Sequence, residues 1–484
     1  MKNTVGGFMR RITKYLLIPV FCGIITYAHE QLVPQTAHIP AGTRFTTPQQ
    51  KSAEKETWIV VFVHGIMSVK PHLSAANFLR FMADDVQKTT YSKTIELMRQ
   101  DPLFFQYQAM QEFGLKSIDL KDRTPGNASG ALANVLSRIT EQSYPTKQVD
   151  SHYYTFGWSG LLSVKQRYLD AKKLFIALEK EVLAFRARGI NPKVKVIGYS
   201  HGGNVVLNLG AVSYEFPNSP LTIDEAIFWG MPVQKETDWC VNNPIFKKIY
   251  HFYSAADRVQ KLDFFSFRRC LSGQVFKSRG AFALPKKLIQ IQIKITRNAT
   301  HTRKKQNQFE HTFDFTDPAV VSGKSHLLRD SSPGHAELWA FGWSEVHYRP
   351  TFALAPLPAI ALIPFYMYIL ESIEQYTNPN DPIIIDVRPE HGLALVKNVK
   401  KRKFYSVFNF IQPDRFRELQ ELALTFKPEN FSEELVEKHI QQAFTVAKKH
   451  YLDTWSKAPH RVRKRNLAKR RAAQKAMFEE CTIK

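Results

Sequence analysis

The chain has 484 residues, which is enough for one large domain with appendages or for two to three ordinary domains. A hydrophobic content of 44% with 23% charged residues is typical of a globular protein, so a sizeable core can form. Four cysteines without CxxC or metal-type spacing exclude a dense disulfide framework. The formal net charge of +24 indicates an anionic partner, either a membrane surface or a nucleic acid.

The N-terminal stretch combines basic and apolar residues. Residues 1–14 carry four Lys or Arg residues, and residues 15–28 form an apolar run without a charge. This run is short for a membrane-spanning helix, which needs about 20 residues, but it suits the apolar region of a signal peptide. We therefore predict that residues 1–30 are a signal peptide or an N-terminal membrane anchor, and that the protein is membrane-associated or exported. An amphiphilic first helix of a soluble protein is the alternative.

Short apolar segments alternate with helix-type patterns along the central part of the chain. Strands are predicted at 57–65, 150–160, 194–200, 223–233, 247–257 and 288–296, and helices at 127–142, 164–188 and 202–212. This alternation is typical of a parallel sheet covered by helices on both faces. The predicted fold class is therefore α/β, with a doubly wound, mostly parallel sheet at residues 50–345. Two insertions are expected in it, at 69–147 and 259–286.

An uncharged segment follows this domain at 351–370, within the apolar, Pro-rich region 346–371. Its length suits a bilayer, but its three prolines, Pro356, Pro358 and Pro364, do not suit a straight helix. Three interpretations are open at this point. The segment is a kinked membrane helix, a shallowly inserted hairpin, or a buried connection packed against the α/β domain.

The C-terminal region, residues 372–484, is predicted to be basic and mainly helical. It contains the run 461–475, in which eight of fifteen residues are Lys or Arg. Such a run is typical of a solvated tail, or of a segment that binds anionic lipid. Nucleic acid is the less favoured partner, because the run has no aromatic interleaving and no nucleic-acid motif.

The segment 194–210 contains the pattern Gly-x-Ser-x-Gly, with Ser200 at its centre. A predicted strand runs into this pattern, and a predicted helix begins at Gly202. The pattern alone is weak, but between a strand and a helix it indicates a nucleophile elbow. In such an elbow the serine lies on a strained turn that projects its hydroxyl group above the edge of the sheet, and the flanking glycines leave room for the close approach of the backbone.

These residues, together with the sequences FVHGIMS and FGWSG, resemble the α/β-hydrolase superfamily on its lipase/esterase side, over residues 58–338. The resemblance implies a serine hydrolase that uses a triad of serine, histidine and acid. It also implies an oxyanion hole made by the backbone N–H groups of Ile66 and His201, with Met67 as the alternate to Ile66. His64 would support the loop that carries Ile66. The sequence has no HExxH, no Gly-rich phosphate loop and no GxGxxG after a strand, so no metal or organic cofactor is expected.

The chain order of that family, which is serine, then acid, then histidine, indicates the other two triad members. Asp257 directly follows a predicted strand and is the expected acid; Asp263 is the runner-up, and Asp224 stands too early in its strand. His335 lies after a Pro-Gly turn and before a helical stretch, and it is the expected base, with His326 as the competitor. Three further histidines have weaker local context: His301, His311 and His347.

The expected function is hydrolysis of carboxylic esters by a membrane-associated lipase or lipid esterase. The predicted N-terminal anchor, the segment at 351–370 and the basic run favour a lipid substrate and an anionic membrane surface as the partner. Aromatic residues within 259–286 suit a lid or an extra core layer. A thioesterase or small-ester deacylase with the same triad is a second hypothesis. A third is a non-catalytic, hydrolase-like scaffold that binds partners through its basic C-terminus.

Overall fold

Strands and helices alternate along most of the chain. A computed structural model describes residues 56–67, 84, 86–144, 148–259, 272–298, 328–343, 352–373, 381–401, 403–408 and 411–455. The strands are β1 (Glu56–Val63), β2 (Gly114–Ser117), β3 (Val149–Gly157), β4 (Lys193–Tyr199), β5 (Ile223–Trp229), β6 (Phe246–Ser254), β7 (Leu288–Asn298), β8 (Leu328–Asp330), β9 (Ile383–Arg388), β10 (Leu393–Asn398) and β11 (Lys403–Phe408). The α-helices are α1 (Thr90–Arg99), α2 (Ala128–Ser143), α3 (Val164–Ala187), α4 (His201–Leu207), α5 (Leu209–Val212), α6 (His335–Trp339), α7 (Ile363–Ile373), α8 (Pro413–Leu424) and α9 (Glu433–Trp455).

The strands form one mixed, mostly parallel sheet. Ten of them follow one another in the order β11-β10-β9-β7-β6-β5-β4-β1-β3-β2, and β8 pairs with the end of β7. Every neighbouring pair from β3 to β9 along this order is parallel. The strands β2, β10 and β11 add antiparallel pairs at the two edges. The protein therefore belongs to the α/β class, as the alternating pattern predicts.

Helices cover both faces of the sheet because successive side chains of a strand point to opposite faces. In β1, Val60 and Phe62 pack into a core that contains the apolar sides of α2 and α7. Ile59, Val61 and Val63 pack on the other face, into a core that contains α3, α4 and α5. Because both faces of β1 are covered, all of these side chains are buried, which explains the continuous apolar run in its sequence.

The two long helices predicted in the central domain are present and are capped by their own sequence. The side chain of Asn127 accepts a hydrogen bond from the backbone N–H of Gly130 at the start of α2. Ser163 does the same for the N–H of Gln166 at the start of α3. Both contacts satisfy N–H groups that a helix leaves without an internal partner. At the other end of α3, Gly189 adopts a positive φ of 76° and lets the chain turn away.

The Pro-rich apolar segment is part of the core. Residues 352–373 form a 3-10 helix at Ala359–Leu362 and then α7, and most of their side chains are buried against the sheet and α2. This arrangement agrees with the third interpretation, a buried connection. Among the residues that the structure describes, no helix has both the length and the apolar character needed to cross a membrane.

The sheet continues beyond residue 345, where the sequence pattern places the end of the α/β domain. Strand β9 pairs in parallel with β7, and β10 and β11 follow it as an antiparallel meander. Three strands therefore lie between residues 383 and 408, where the sequence pattern predicts a mainly helical region. Each strand is only six residues long, and the helical pattern of α8 and α9 dominates the composition of this region. The predicted N-terminal segment 1–30 and the basic run 461–475 lie outside the described residues.

Candidate active site

The candidate site lies at the carboxyl ends of β1 and β4, which are neighbours in the sheet. The chain continues from β1 towards β3 on one side and from β4 towards β5 on the other side. Connections that leave in opposite directions open a crevice at the edge of a parallel sheet, and ligands bind preferentially there. Ser200 directly follows β4, and His64, Gly65 and Ile66 directly follow β1.

Ser200 has a backbone conformation that residues other than glycine rarely adopt. Its φ is +51° and its ψ is −135°, a combination whose energetic cost is about 1–3 kcal/mol and which persists only when its surroundings enforce it. The backbone N–H of Ser200 donates to the carbonyl of Trp229 at 2.9 Å, and its carbonyl accepts from the N–H of Gly203 at 3.0 Å. These bonds hold the turn between β4 and α4.

The glycines on both sides of Ser200 are required by the packing of the backbone. A Cβ atom on Gly198 would lie 2.7 Å from the backbone of Gly203. A Cβ atom on Gly202 would lie 2.2 Å from the carbonyl oxygen of His64 and 2.3 Å from that of Val63. The pattern Gly-x-Ser-x-Gly is therefore a consequence of how closely α4 approaches the ends of β4 and β1.

The structure brings the three predicted triad residues together. His335 Nε2 lies 3.1 Å from Ser200 Oγ, and His335 Nδ1 lies 2.8 Å from Asp257 Oδ2. Ser200 is 3% exposed and Asp257 is fully buried, while the side chain of His335 is 16% exposed. Because a carboxylate only accepts hydrogen bonds, Asp257 selects the tautomer with the proton on Nδ1, which leaves Nε2 free to accept the serine proton.

Asp257 has a fixed carboxylate because each of its oxygens has its own partner. Oδ1 accepts from the backbone N–H of Val259 at 2.9 Å, while Oδ2 faces His335. The backbone N–H of Asp257 donates to the carbonyl of Ser254, the last residue of β6, at 3.1 Å. The acid therefore lies on a tight turn that begins where the strand ends.

His335 is held by the short helix α6, of which it is the first residue. Glu337 accepts a hydrogen bond from the backbone N–H of Gly334 at 2.7 Å and closes the start of the helix. Trp229, at the end of β5, donates through Nε1 to the carbonyl of Leu338 at 2.9 Å. Trp229 therefore binds both the turn at Ser200 and the helix that carries the histidine. Its part in the site was not predicted from the sequence, where the only signal was a large aromatic residue at a strand end.

The loop after β1 packs directly against the Ser200 turn. A Cβ atom on Gly65 would lie 3.1 Å from the Cβ of Ser200. His64 supports this loop, since its Nε2 accepts from the N–H of Trp158 at 3.2 Å and its Nδ1 donates to the carbonyl of Gly65 at 2.6 Å. Burial, together with the positive charge of Arg99, holds the pKa of His64 well below its usual value, so the ring is neutral.

The side chain of His201 is directed to a neighbouring helix. Its Nδ1 accepts from Nη1 of Arg167 in α3 at 3.3 Å, and the same guanidinium donates to Gln234 at 2.7 Å. The ring therefore has a packing role, and the backbone of His201, as the first residue of α4, is what remains next to Ser200. The side chain of Met67, the alternate to Ile66, is buried in an apolar cluster with α1.

Asp224, the aspartate that stands early in its strand, is not the acid of the site. It lies at the amino-terminal end of β5, whereas Ser200 lies at the carboxyl ends of the strands. There Asp224 accepts a hydrogen bond from the backbone N–H of Val194 and forms an ion pair with Lys247. Five competing acid and base candidates lie outside the described residues: Asp263, His301, His311, His326 and His347. Within the described ranges, no group of His, Cys, Asp and Glu side chains is arranged to hold a metal ion.

The comparisons with known proteins leave the site to be judged from its geometry. No protein-family model matches the chain. A search of curated proteins finds no significant match either. Chemically, the site combines a hydroxyl group, a base within hydrogen-bond reach and a buried acid that orients the base, which is the arrangement that activates a serine for nucleophilic attack.

Proposed function

We propose that this protein is a serine hydrolase of the α/β-hydrolase type that cleaves carboxylic esters. The observation that carries the proposal is the position of His335, with Nε2 at 3.1 Å from Ser200 Oγ and Nδ1 at 2.8 Å from Asp257. The strained conformation of Ser200 supports it, because backbone strain concentrates at functional sites. The strand–turn–helix context of the serine supports it as well.

The proposed reaction is acyl transfer in two stages. Ser200 Oγ attacks the ester carbonyl while His335 Nε2 takes the hydroxyl proton and then gives it to the leaving alcohol. A water molecule then attacks the carbonyl of the acyl-enzyme while His335 Nε2 takes its proton and passes it to Ser200 Oγ. This step releases the carboxylic acid and restores Ser200. Asp257 keeps the imidazole in the correct tautomer and stabilises the imidazolium that forms in each stage.

The proposed oxyanion donors are the backbone N–H groups of Ile66 and His201. Both residues adjoin Ser200, one through the loop packed against it and the other as the next residue in the chain. A single donor aimed at the developing oxyanion is worth about 3 kcal/mol of transition-state stabilisation. The hydrogen bonds of His64 would keep the Ile66 loop in place before substrate binds, so that no reorganisation is needed during the reaction.

The proposed substrate is a lipid ester, with an anionic membrane surface as the partner of the basic chain. The apolar surroundings of Ile66 support this choice: its half-buried side chain packs against the apolar core on the α3 side of the sheet, and apolar surface beside the site suits a fatty acyl chain better than a small polar acyl group. The net charge of +24 supports an anionic surface. A membrane-associated or exported location is part of the same proposal.

The test is covalent labelling by a fluorophosphonate probe, with the intact protein in detergent and with lipid vesicles. We expect Ser200→Ala and His335→Ala to abolish labelling and Asp257→Asn to weaken it. Asp224→Asn is the matched control and should label normally. It makes the same change in β5, the neighbour of β6, but at the amino-terminal ends of the strands, away from Ser200. Failure of the intact protein to label under both conditions would contradict the proposal.

Hydrolysis of p-nitrophenyl acetate and p-nitrophenyl palmitate then tests the substrate class. A higher kcat/KM for the long chain supports a lipid esterase. A preference for acetate, with labelling intact, contradicts the lipid substrate and leaves the serine hydrolase chemistry standing. It would favour a small-ester deacylase or a thioesterase instead.

A further inference from the structure

The turn that carries Asp257 is held from outside by a single amide side chain. Gln274 donates through Nε2 to the carbonyl of Ser254 at 3.1 Å and to the carbonyl of Asp257 at 2.8 Å. These two carbonyls are the first and last of the four residues of the turn. Both hydrogens of one NH2 group therefore tie together the two ends of the segment that orients the acid.

We propose that Gln274 is a positioning residue of the hydrolase site, which sets the direction of the Asp257 carboxylate towards His335. This inference rests on the proposed function. Oδ1 of Asp257 accepts from the backbone N–H of Val259, two residues further on, so the carboxylate is tied to the backbone of this turn. A turn that opens or rotates would carry Oδ2 away from His335 Nδ1.

Gln274 can act in this way because its own backbone is anchored. Its carbonyl accepts a hydrogen bond from Nε2 of the buried His251 in β6 at 2.8 Å. The preceding residue, Gly273, exchanges two backbone hydrogen bonds with Val233 at 2.8 and 2.9 Å. One anchor comes from the strand that ends in the acid turn, and the other comes from the segment after β5. The amide therefore reaches the turn from a fixed base.

The same segment offers a matched comparison. Gln290 in β7 accepts from the backbone N–H of Phe276 at 2.7 Å and donates to the carbonyl of Phe276 at 3.1 Å. Gln290 thus makes two side-chain bonds to the stretch of chain that contains Gln274, but neither of its bonds reaches Asp257. If the segment is only structural, loss of either glutamine should have the same effect.

The experiment compares Gln274→Met with Gln290→Met, which remove the amide at similar side-chain volume. We expect Gln274→Met to lower both kcat for a p-nitrophenyl ester and the rate of fluorophosphonate labelling by about tenfold or more. KM should stay unchanged, because the orientation of Asp257 affects the chemical step and not the binding of substrate. Gln290→Met should stay within about twofold. Gln274→Lys retains N–H donors at similar reach and should recover part of the lost kcat.

A double substitution gives the strictest test. If Gln274 acts through Asp257, adding Gln274→Met to Asp257→Asn should cause no further loss of labelling rate, because the acid is already gone. Equal losses in Gln274→Met and Gln290→Met, or multiplicative losses in the double variant, would overturn the inference while leaving the hydrolase itself intact. Absence of labelling in the intact protein would overturn the proposed function, and the inference with it. Thermal unfolding of each variant identifies any variant that does not fold. If Gln274→Met is such a variant, Gln274→Glu, which keeps the length of the side chain and loses both N–H donors, takes its place, and an unchanged kcat overturns the donor role.

Discussion

Substitution of Gly202 by alanine should damage both the fold and the reaction, because it places a methyl group against main chain that cannot move freely. The added Cβ would lie 2.2 Å from the carbonyl oxygen of His64 and 2.3 Å from that of Val63, whereas real contacts essentially never fall below 3.0 Å. The two segments must separate by about 0.8 Å. The carbonyl of His64 also accepts from Trp158 Nε1 at 2.6 Å, so the displacement strains that bond too.

The magnitude follows from where the displacement occurs. Overpacking of a buried site costs about 1–3 kcal/mol of folding free energy, and a clash with two backbone carbonyls belongs at the upper end, about 3 kcal/mol. The displaced segment leads directly to Ile66, the proposed oxyanion donor. A misplacement approaching 1 Å lowers a reaction rate by about a hundredfold.

The matched control is Gly203→Ala, which adds the same methyl group one residue later. Its Cβ would lie 2.9 Å from side-chain atoms of Met231 and would meet no main chain at that distance. This distance is only 0.1 Å below 3.0 Å, so a small shift relieves the contact, and the expected loss is about 1 kcal/mol, with labelling retained. Urea unfolding gives the loss of stability, and the rate of fluorophosphonate labelling gives the effect on the site. Equal effects of the two substitutions on either measurement would refute the reasoning.

Three further predictions follow from single contacts. Burial lowers the pKa of His251 to about 4, so between pH 6.5 and 4 only the unfolded chain takes up a proton at this residue. The free energy of unfolding should therefore fall by about 3 kcal/mol as the pH drops from 6.5 to 4, and His251→Gln should flatten this part of its pH dependence. Trp229→Phe leaves the carbonyl of Leu338 without its donor and should lower stability by about 1–3 kcal/mol and slow labelling of Ser200. Ile440 in α9 packs against the apolar cluster that contains Met67. Because Ile440→Asp would bury a charge there, it should release α9 and raise the rate of limited proteolysis.

The chain provides controls for the last two predictions. Trp239→Phe removes a similar Nε1 bond, to the carbonyl of Glu236, at an exposed position and should leave labelling unchanged. Val446→Asp changes an exposed position of α9 and should leave proteolysis unchanged. If either control behaves like its partner, the contact is not the cause. For His251, a pH dependence of unfolding that is the same in variant and intact protein would contradict the prediction.

The sequence alone determined the features that depend on neighbouring residues. The buried strand before Ser200, the helix after it and the glycines between them are visible because a strand, a turn and a helix each have a local pattern. The α/β class follows from the same patterns repeated along the chain. His64 was also predicted to have a supporting role, and its bonds to Gly65 and Trp158 agree with that.

The tertiary structure decided which distant residues meet. Asp257 and His335 are 78 positions apart, and His335 and Ser200 are 135 apart, so only the order of β4, β5 and β6 in the sheet brings them within hydrogen-bond distance. Trp229 also acquires its part in the site through the tertiary structure, since its carbonyl binds Ser200 and its Nε1 binds Leu338. The apolar segment at 351–370 could not be assigned from its own residues, because burial in a core and burial in a bilayer demand the same composition.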